Sequence, residues 1–171
     1  MKKPLVSFIK DIRTSKKIFT FDEASIKQAV VLRLLSLLEW DIFNVEEICP
    51  DFSSDASTVS YALRIDHAGK VLLDVKRDHE GTDGLHKQLV ELAAREAFEL
   101  CVHTDGPRWW FYLPSAKGGL SQQRCHVIDL IDQKPEHAAA DLIAFLSREK
   151  VADGSHLAAA MAAHPSQNRK R

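Results

Sequence analysis

Asp74-Val75-Lys76 is the stretch of this 171-residue chain whose residue types and spacing are best suited to chemistry. A carboxylate and an ammonium two residues apart on a strand project to the same side. The carboxylate is a hard oxygen ligand of the kind Mg²⁺ prefers. A metal held there would lower the pKa of a water and stabilise charge on a phosphate, with the lysine orienting the nucleophile or neutralising the transition state. The same pair also reads as a solvated salt bridge on the outer face of an ordinary strand, the commoner use of such a triplet.

The element that must position the pair spans 59–77 and has the pattern of a β-hairpin. Val59, Tyr61, Leu63, Ile65, Val71, Leu73 and Val75 are apolar at odd positions, while Ser60, Arg64, Asp74 and Lys76 occupy even ones. This period of two sends one face into a core and the other towards something polar. His67-Ala68-Gly69 is expected to form a three-residue loop with Gly69 left-handed. That register sets Ala62 opposite Asp74 and Ser60 opposite Lys76.

Around the hairpin, apolar spacing predicts a helix over 4–12, and a capping-box pattern at Thr20 to Glu23 opens a longer helix over 22–39. A first strand follows over 46–52, with Pro50 placing it at an edge or a bend, and then a polar turn over 53–58. Beyond Arg77 come a flexible loop over 78–84, a helix over 85–98 and a strand over 99–104. Asp105-Gly106-Pro107 forms a turn. The aromatic strand 108–113 follows, with Trp109 to Tyr112 read as core rather than as a base-stacking surface. A strand over 125–131 and a helix over 136–150 complete a single domain at 1–150. Residues 151–171 read as an alanine-rich helix and a disordered basic tail. Helix, strand, two-stranded hairpin, helix, strand is an α/β order, the α-β-β-β-α-β core of a restriction-endonuclease-like mixed sheet flanked by helices.

A net charge of −1 gives no bulk attraction to DNA or membrane, although Lys2, Lys3, Lys10, Arg13, Lys16 and Lys17 crowd the first twenty residues. Cys49, Cys101 and Cys125 are widely spaced and odd in number, as expected of small buried thiols in a reduced cytoplasmic protein. The eight histidines form no zinc-like spacing. No apolar run is long enough to span a membrane.

Five blocks in order, 21–28 (FDEASIKQ), 38–52 (LEWDIFNVEEICPDF), 59–63 (VSYAL), 72–77 (LLDVKR) and 104–112 (TDGPRWWFY), resemble the N-terminal nuclease domain of type I restriction enzyme R subunits. They equally resemble the related stand-alone predicted type IV restriction endonucleases, of the PD-(D/E)xK superfamily. The resemblance covers about residues 5 to 130. It implies a Mg²⁺-dependent DNA phosphodiesterase of restriction or phage-defence type, in which Asp74 holds the metal, Lys76 is the catalytic lysine and Glu23 reaches the metal shell. Gln88 matches the glutamine of the family's Gln-x-x-x-Tyr motif, a DNA contact, with Lys87 and Arg77 as neighbouring cations.

Two departures qualify this. Ser60 stands where the family carries a metal-binding aspartate, and a hydroxyl is a weaker ligand than a carboxylate. Leu92 replaces the tyrosine of the glutamine motif. Asp51 or Glu47 on the first strand, or Asp55 in the following turn, are the carboxylates that could replace the missing ligand. Two functions therefore stand side by side: a DNA endonuclease with an altered metal site, and an inactive nuclease-fold module that binds DNA or a partner protein within a larger complex. No Walker-type Gly-x-x-x-x-Gly-Lys-Ser/Thr is present, so a helicase or translocase, or another defence subunit, would be a partner. Homodimerisation, common among nucleases of this fold, is a further expectation.

Overall fold

The computed structural model describes residues 1–77 and 83–165. α1 (Lys2–Ser15) buries Leu5, Ile9 and Ile12, the helical stripe visible in the sequence, and ends where Lys16 turns left-handed (φ 54°). A 3₁₀ turn (Lys17–Thr20) leads into α2 (Glu23–Ile26), a π turn (Lys27–Val31) and α3 (Leu32–Leu37), which run on as one helix. Its cap is Asp22, whose Oδ1 accepts from the Ser25 N–H at 2.7 Å. Thr20, expected to open a capping box, instead donates to the Lys17 carbonyl.

Six strands follow, β1 (Ile48–Ser54), β2 (Ser57–Ile65), β3 (Ala68–Val75), β4 (Leu100–Thr104), β5 (Arg108–Tyr112) and β6 (Arg124–Asp129), with spatial order equal to chain order. All neighbours are antiparallel except β3 and β4, which are parallel. A parallel pair needs a crossover, and α4 (Asp83–Arg95) lies within it. The expected α-β-β-β-α-β order is thus present in a mixed sheet flanked by helices, extended by β5 and β6. β1 is an edge strand, which is how Pro50 is tolerated.

The hairpin turn differs from expectation. Asp66 and His67 form a two-residue loop with both φ positive (49° and 66°), and a bulge follows between Leu63 and Arg64. Gly69 is not in the left-handed region. Its need for glycine is steric, since a Cβ there would lie 2.7 Å from the Phe98 ring. Tyr61 pairs with Leu73, so partners as far as Leu63 are shifted by two from the expected register, and Ser60 meets Asp74 rather than Lys76.

Helices cover both faces of the sheet. On one, α1, α3 and α6 (Pro135–Leu146) pack over Tyr61, Leu63, Leu73, Val102, Trp109 and Phe111. On the other, α4 brings Leu89, Val90, Leu92 and Ala93 over Ala62, Leu72, Cys101 and Tyr112. The even-numbered face of the hairpin, expected to look towards something polar, is covered by α4 at Ser60, Ala62, Leu72 and Asp74, while Arg64, Lys70 and Lys76 are half-buried. The helix expected over 136–150 breaks at Ser147, whose hydroxyl caps α7 (Arg148–Asp153). Gly154 (φ 83°) then reverses the chain into α8 (Ser155–Ala163), which buries His156 and Ala160. α5 (Leu120–Gln123) is a single turn. The loop expected over 78–84 falls largely, and the tail from 166 wholly, outside the described residues.

Candidate functional site

Asp74 and Lys76 share the α4 side of β3 near its C-terminal end, as their spacing requires. Both line a cleft of about 270 Å³ whose other wall carries Gln88 of α4 and Thr58 of β2. Glu23, in the first turn of α2, reaches the same corner. Its Oε2 lies 4.0 Å from the Lys76 Nζ, and its Oε1 accepts from the Arg77 N–H at 3.4 Å. Three of the residues expected to act together, Asp74, Lys76 and Gln88, thus line one cleft, and Glu23 touches it through Lys76.

Asp74 itself is almost fully buried. Its Oδ1 accepts two hydrogen bonds from Ser60, from the backbone N–H at 3.1 Å and from the hydroxyl at 3.0 Å. The Ser60 Oγ in turn accepts from the Val75 N–H at 3.0 Å. The hydroxyl therefore bridges β2 to β3 and occupies one oxygen of the acid. Burial raises the Asp74 pKa above its ordinary value, against the opposing pull of the Ser60 hydrogen bonds and the charges of Lys76 and Lys27.

The carboxylates considered as replacement ligands go elsewhere. Glu47 is gripped by Arg148 of α7, with Nε 3.0 Å from both its oxygens, and this cation holds its pKa low. Asp55 lies 3.6 Å from Arg95. Asp51 is exposed on β1 in a left-handed conformation (φ 48°). Among the described residues no three His, Cys, Asp or Glu side chains gather to hold an ion. A buried acid with a raised pKa, one oxygen already engaged by a hydroxyl and an ammonium beside it, is a poor seat for Mg²⁺. The donor set among the described residues does not fit that ion.

The cations expected to contact nucleic acid also divide. Lys87 is exposed on α4, 4.0 Å from Glu91. Arg77 is committed to the fold: its guanidinium donates to the carbonyls of Phe21 (2.5 Å), Phe19 (3.0 Å) and Ile18 (3.5 Å). These carbonyls belong to the 3₁₀ turn and the entry to α2, so Arg77 ties that segment to the end of β3 and brings Glu23 towards Lys76. These bonds give Arg77 a positioning role at this corner.

Two residues at the site were missed by sequence reasoning. His103 on β4 pairs with Asp74 across the parallel ladder, and Trp110 on β5 pairs with His103. Ser60, Asp74, His103 and Trp110 therefore form a row across four strands beneath α4. His86 of α4 lies over His103, ring centroids 3.9 Å apart, with its Nδ1 2.5 Å from the Tyr112 hydroxyl. His103 is fully buried, and neither of its ring nitrogens has a hydrogen-bond partner. Burial, the neighbouring His86 and the Lys76 charge push its pKa down to about 3, so the ring is neutral at physiological pH. Only the parallel β3–β4 register brings His103 here, and that pairing has no local signal. Trp109 and Phe111 enter the core on one face of the sheet and Tyr112 on the other, so more of this strand is buried than alternation over a single core suggested.

No family model, no curated protein and no solved structure matches the chain.

Proposed function

We propose that the chain is a nucleic-acid-binding module of nuclease ancestry whose hydrolytic centre has been closed by Ser60. The observation that carries this reading is the Ser60–Asp74 interlock. The acid of the Asp74-Val75-Lys76 triplet is held by a hydroxyl where a second carboxylate would be needed to share an ion. The α-β-β-β-α-β order, the five ordered sequence blocks and the convergence of Asp74, Lys76, Glu23 and Gln88 support the ancestry. Lys76, Gln88 and the exposed Lys87 are the groups that would meet a phosphate backbone. Cleavage, if the assembly performs it, and any ATP-driven movement along DNA would come from a partner subunit.

The test pairs binding with cleavage. Wild type should bind a DNA duplex in EDTA, and Lys76→Ala should weaken that binding and lower the salt slope by about one phosphate contact. Supercoiled plasmid with Mg²⁺ or Mn²⁺ should stay intact with wild type, and any nicking should arise only in Ser60→Asp. Metal-dependent nicking by wild type that Asp74→Asn abolishes would overturn the reading and establish the endonuclease instead.

A further inference from the structure

A cavity of about 600 Å³ lies against the π turn and α3, on the side of the chain that faces Tyr61. Its floor is apolar, with Leu32, Ile42 and Tyr61. Its rim is not. Lys27 and Gln28 come from the π turn and Arg33 from α3, and Phe43 closes the outer side. Phe43 is 89% exposed, the most exposed large apolar side chain described. Its turn is fixed from outside the cavity, since the Asp41 carboxylate accepts from the Phe43 N–H at 3.1 Å.

Three features set this cavity apart from a packing defect. Among the described residues no carboxylate lies within ion-pair distance of Lys27 or Arg33, which line the cavity together. A π turn widens a helix at a cost in hydrogen-bond geometry and is frequent at functional sites, and here it is the segment that presents Lys27 and Gln28. The charge is asymmetric. The helix side is cationic, while Asp51 on the β1 side acts on Tyr61.

We infer that this cavity is a nucleotide subsite for single-stranded nucleic acid, with a phosphate held by Lys27 and Arg33 and an unstacked base laid on Phe43. Duplex bases are stacked on one another and cannot offer a face to Phe43, whereas a single strand can. The volume suits one nucleoside rather than an extended polymer segment. Gln28, which also lines the cavity, carries both the donor and the acceptor that a base edge requires. This inference rests on the nucleic-acid reading and deepens it by naming the strand state.

The test is fluorescence anisotropy of the full chain with a short labelled thymidine oligonucleotide, the same sequence as a duplex, and an acidic aromatic peptide as competitor. Phe43→Ala leaves the fold intact because the side chain is exposed. It should weaken single-strand binding roughly tenfold and duplex binding far less. Arg33→Gln should lower the single-strand salt slope by about 0.7. Unchanged single-strand affinity in Phe43→Ala, with duplex binding still lost in Lys76→Ala, would overturn the subsite and leave the nucleic-acid function standing. Wild type that binds neither nucleic acid would overturn both. A peptide that binds wild type as tightly as the oligonucleotide does, and is lost in Phe43→Ala, would reassign the cavity to a protein partner.

Discussion

The two faces of one strand, β3, show how differently the same sheet is used. Val71, Leu73 and Val75 point into a core of hydrocarbon between the sheet and helices α1, α3 and α6. One residue away, Asp74 points under α4 into a layer that is just as buried but contains Ser60, His86, His103 and Trp110. The first face costs nothing to seal. The second holds groups whose burial is unfavourable unless each finds a partner, and His103 has none for either ring nitrogen. A fold gains nothing in stability by keeping such a layer, which is the contrast that singles out the α4 face as the candidate site.

The largest effect separating the faces should come from the hydrocarbon side. Leu73→Ala removes a fully buried side chain between layers that cannot collapse into the space, and should cost about 2–5 kcal/mol. Urea denaturation should give the same loss at neutral and at mildly acid pH, because the titratable members of that hydrocarbon core, Tyr61 and Cys125, are pushed further above neutrality by burial. A loss that grew on acidification would mean that the two faces are electrostatically coupled.

The α4 face should answer to pH. Folded His103 takes up its proton only near pH 3, against 6.5 for the ordinary side chain. Between these limits the unfolded chain binds more protons, so stability is complete above 6.5 and falls as pH drops through that window. Asp74, with its raised pKa, opposes this only at the acid end, near the ordinary carboxylate range. The His103 share of the loss should be about 2 kcal/mol on going from pH 6.5 to about pH 5. His103→Leu should leave neutral stability equal or higher, since no hydrogen bond is broken, and should flatten that slope. An unchanged slope would show that His103 is not the buried base responsible.

Much of this arrangement was visible in the residues, and the failures have local causes. Period-two alternation located the hairpin, Pro50 marked the edge strand, and the two-residue spacing put Asp74 and Lys76 on one side. The loop was misjudged because Gly69 drew the left-handed position, whereas Asp66 and His67, both of types that tolerate it, adopt it and Gly69 makes room for Phe98. A slip of two keeps every side chain on its face but changes its partner. That is why the interlock of Ser60 with Asp74 could not be seen, although both residues had been singled out. The helix–strand–hairpin order gave the architecture. It did not reveal that α4 would bury the even face, that β4 would deliver His103 to Asp74, or that Arg77 would be consumed by three carbonyls at the entry to α2. Each of these depends on contacts between residues distant along the chain.

The smallest effect is also the most discriminating. In Asp74→Asn the side-chain oxygen can still accept from the Ser60 N–H and hydroxyl, while the burial of a charge is relieved and the attraction to Lys76 and Lys27 is lost. These changes oppose one another, so the melting temperature at neutral pH should shift by no more than a destabilisation of about 1 kcal/mol would produce. Adding Mg²⁺ should move wild type and variant equally, because an oxygen engaged by Ser60 is no longer offered to an ion. If Mg²⁺ raised the melting temperature of wild type alone, Asp74 would be a metal ligand after all. The polar face would then be a working centre rather than one closed by a hydroxyl.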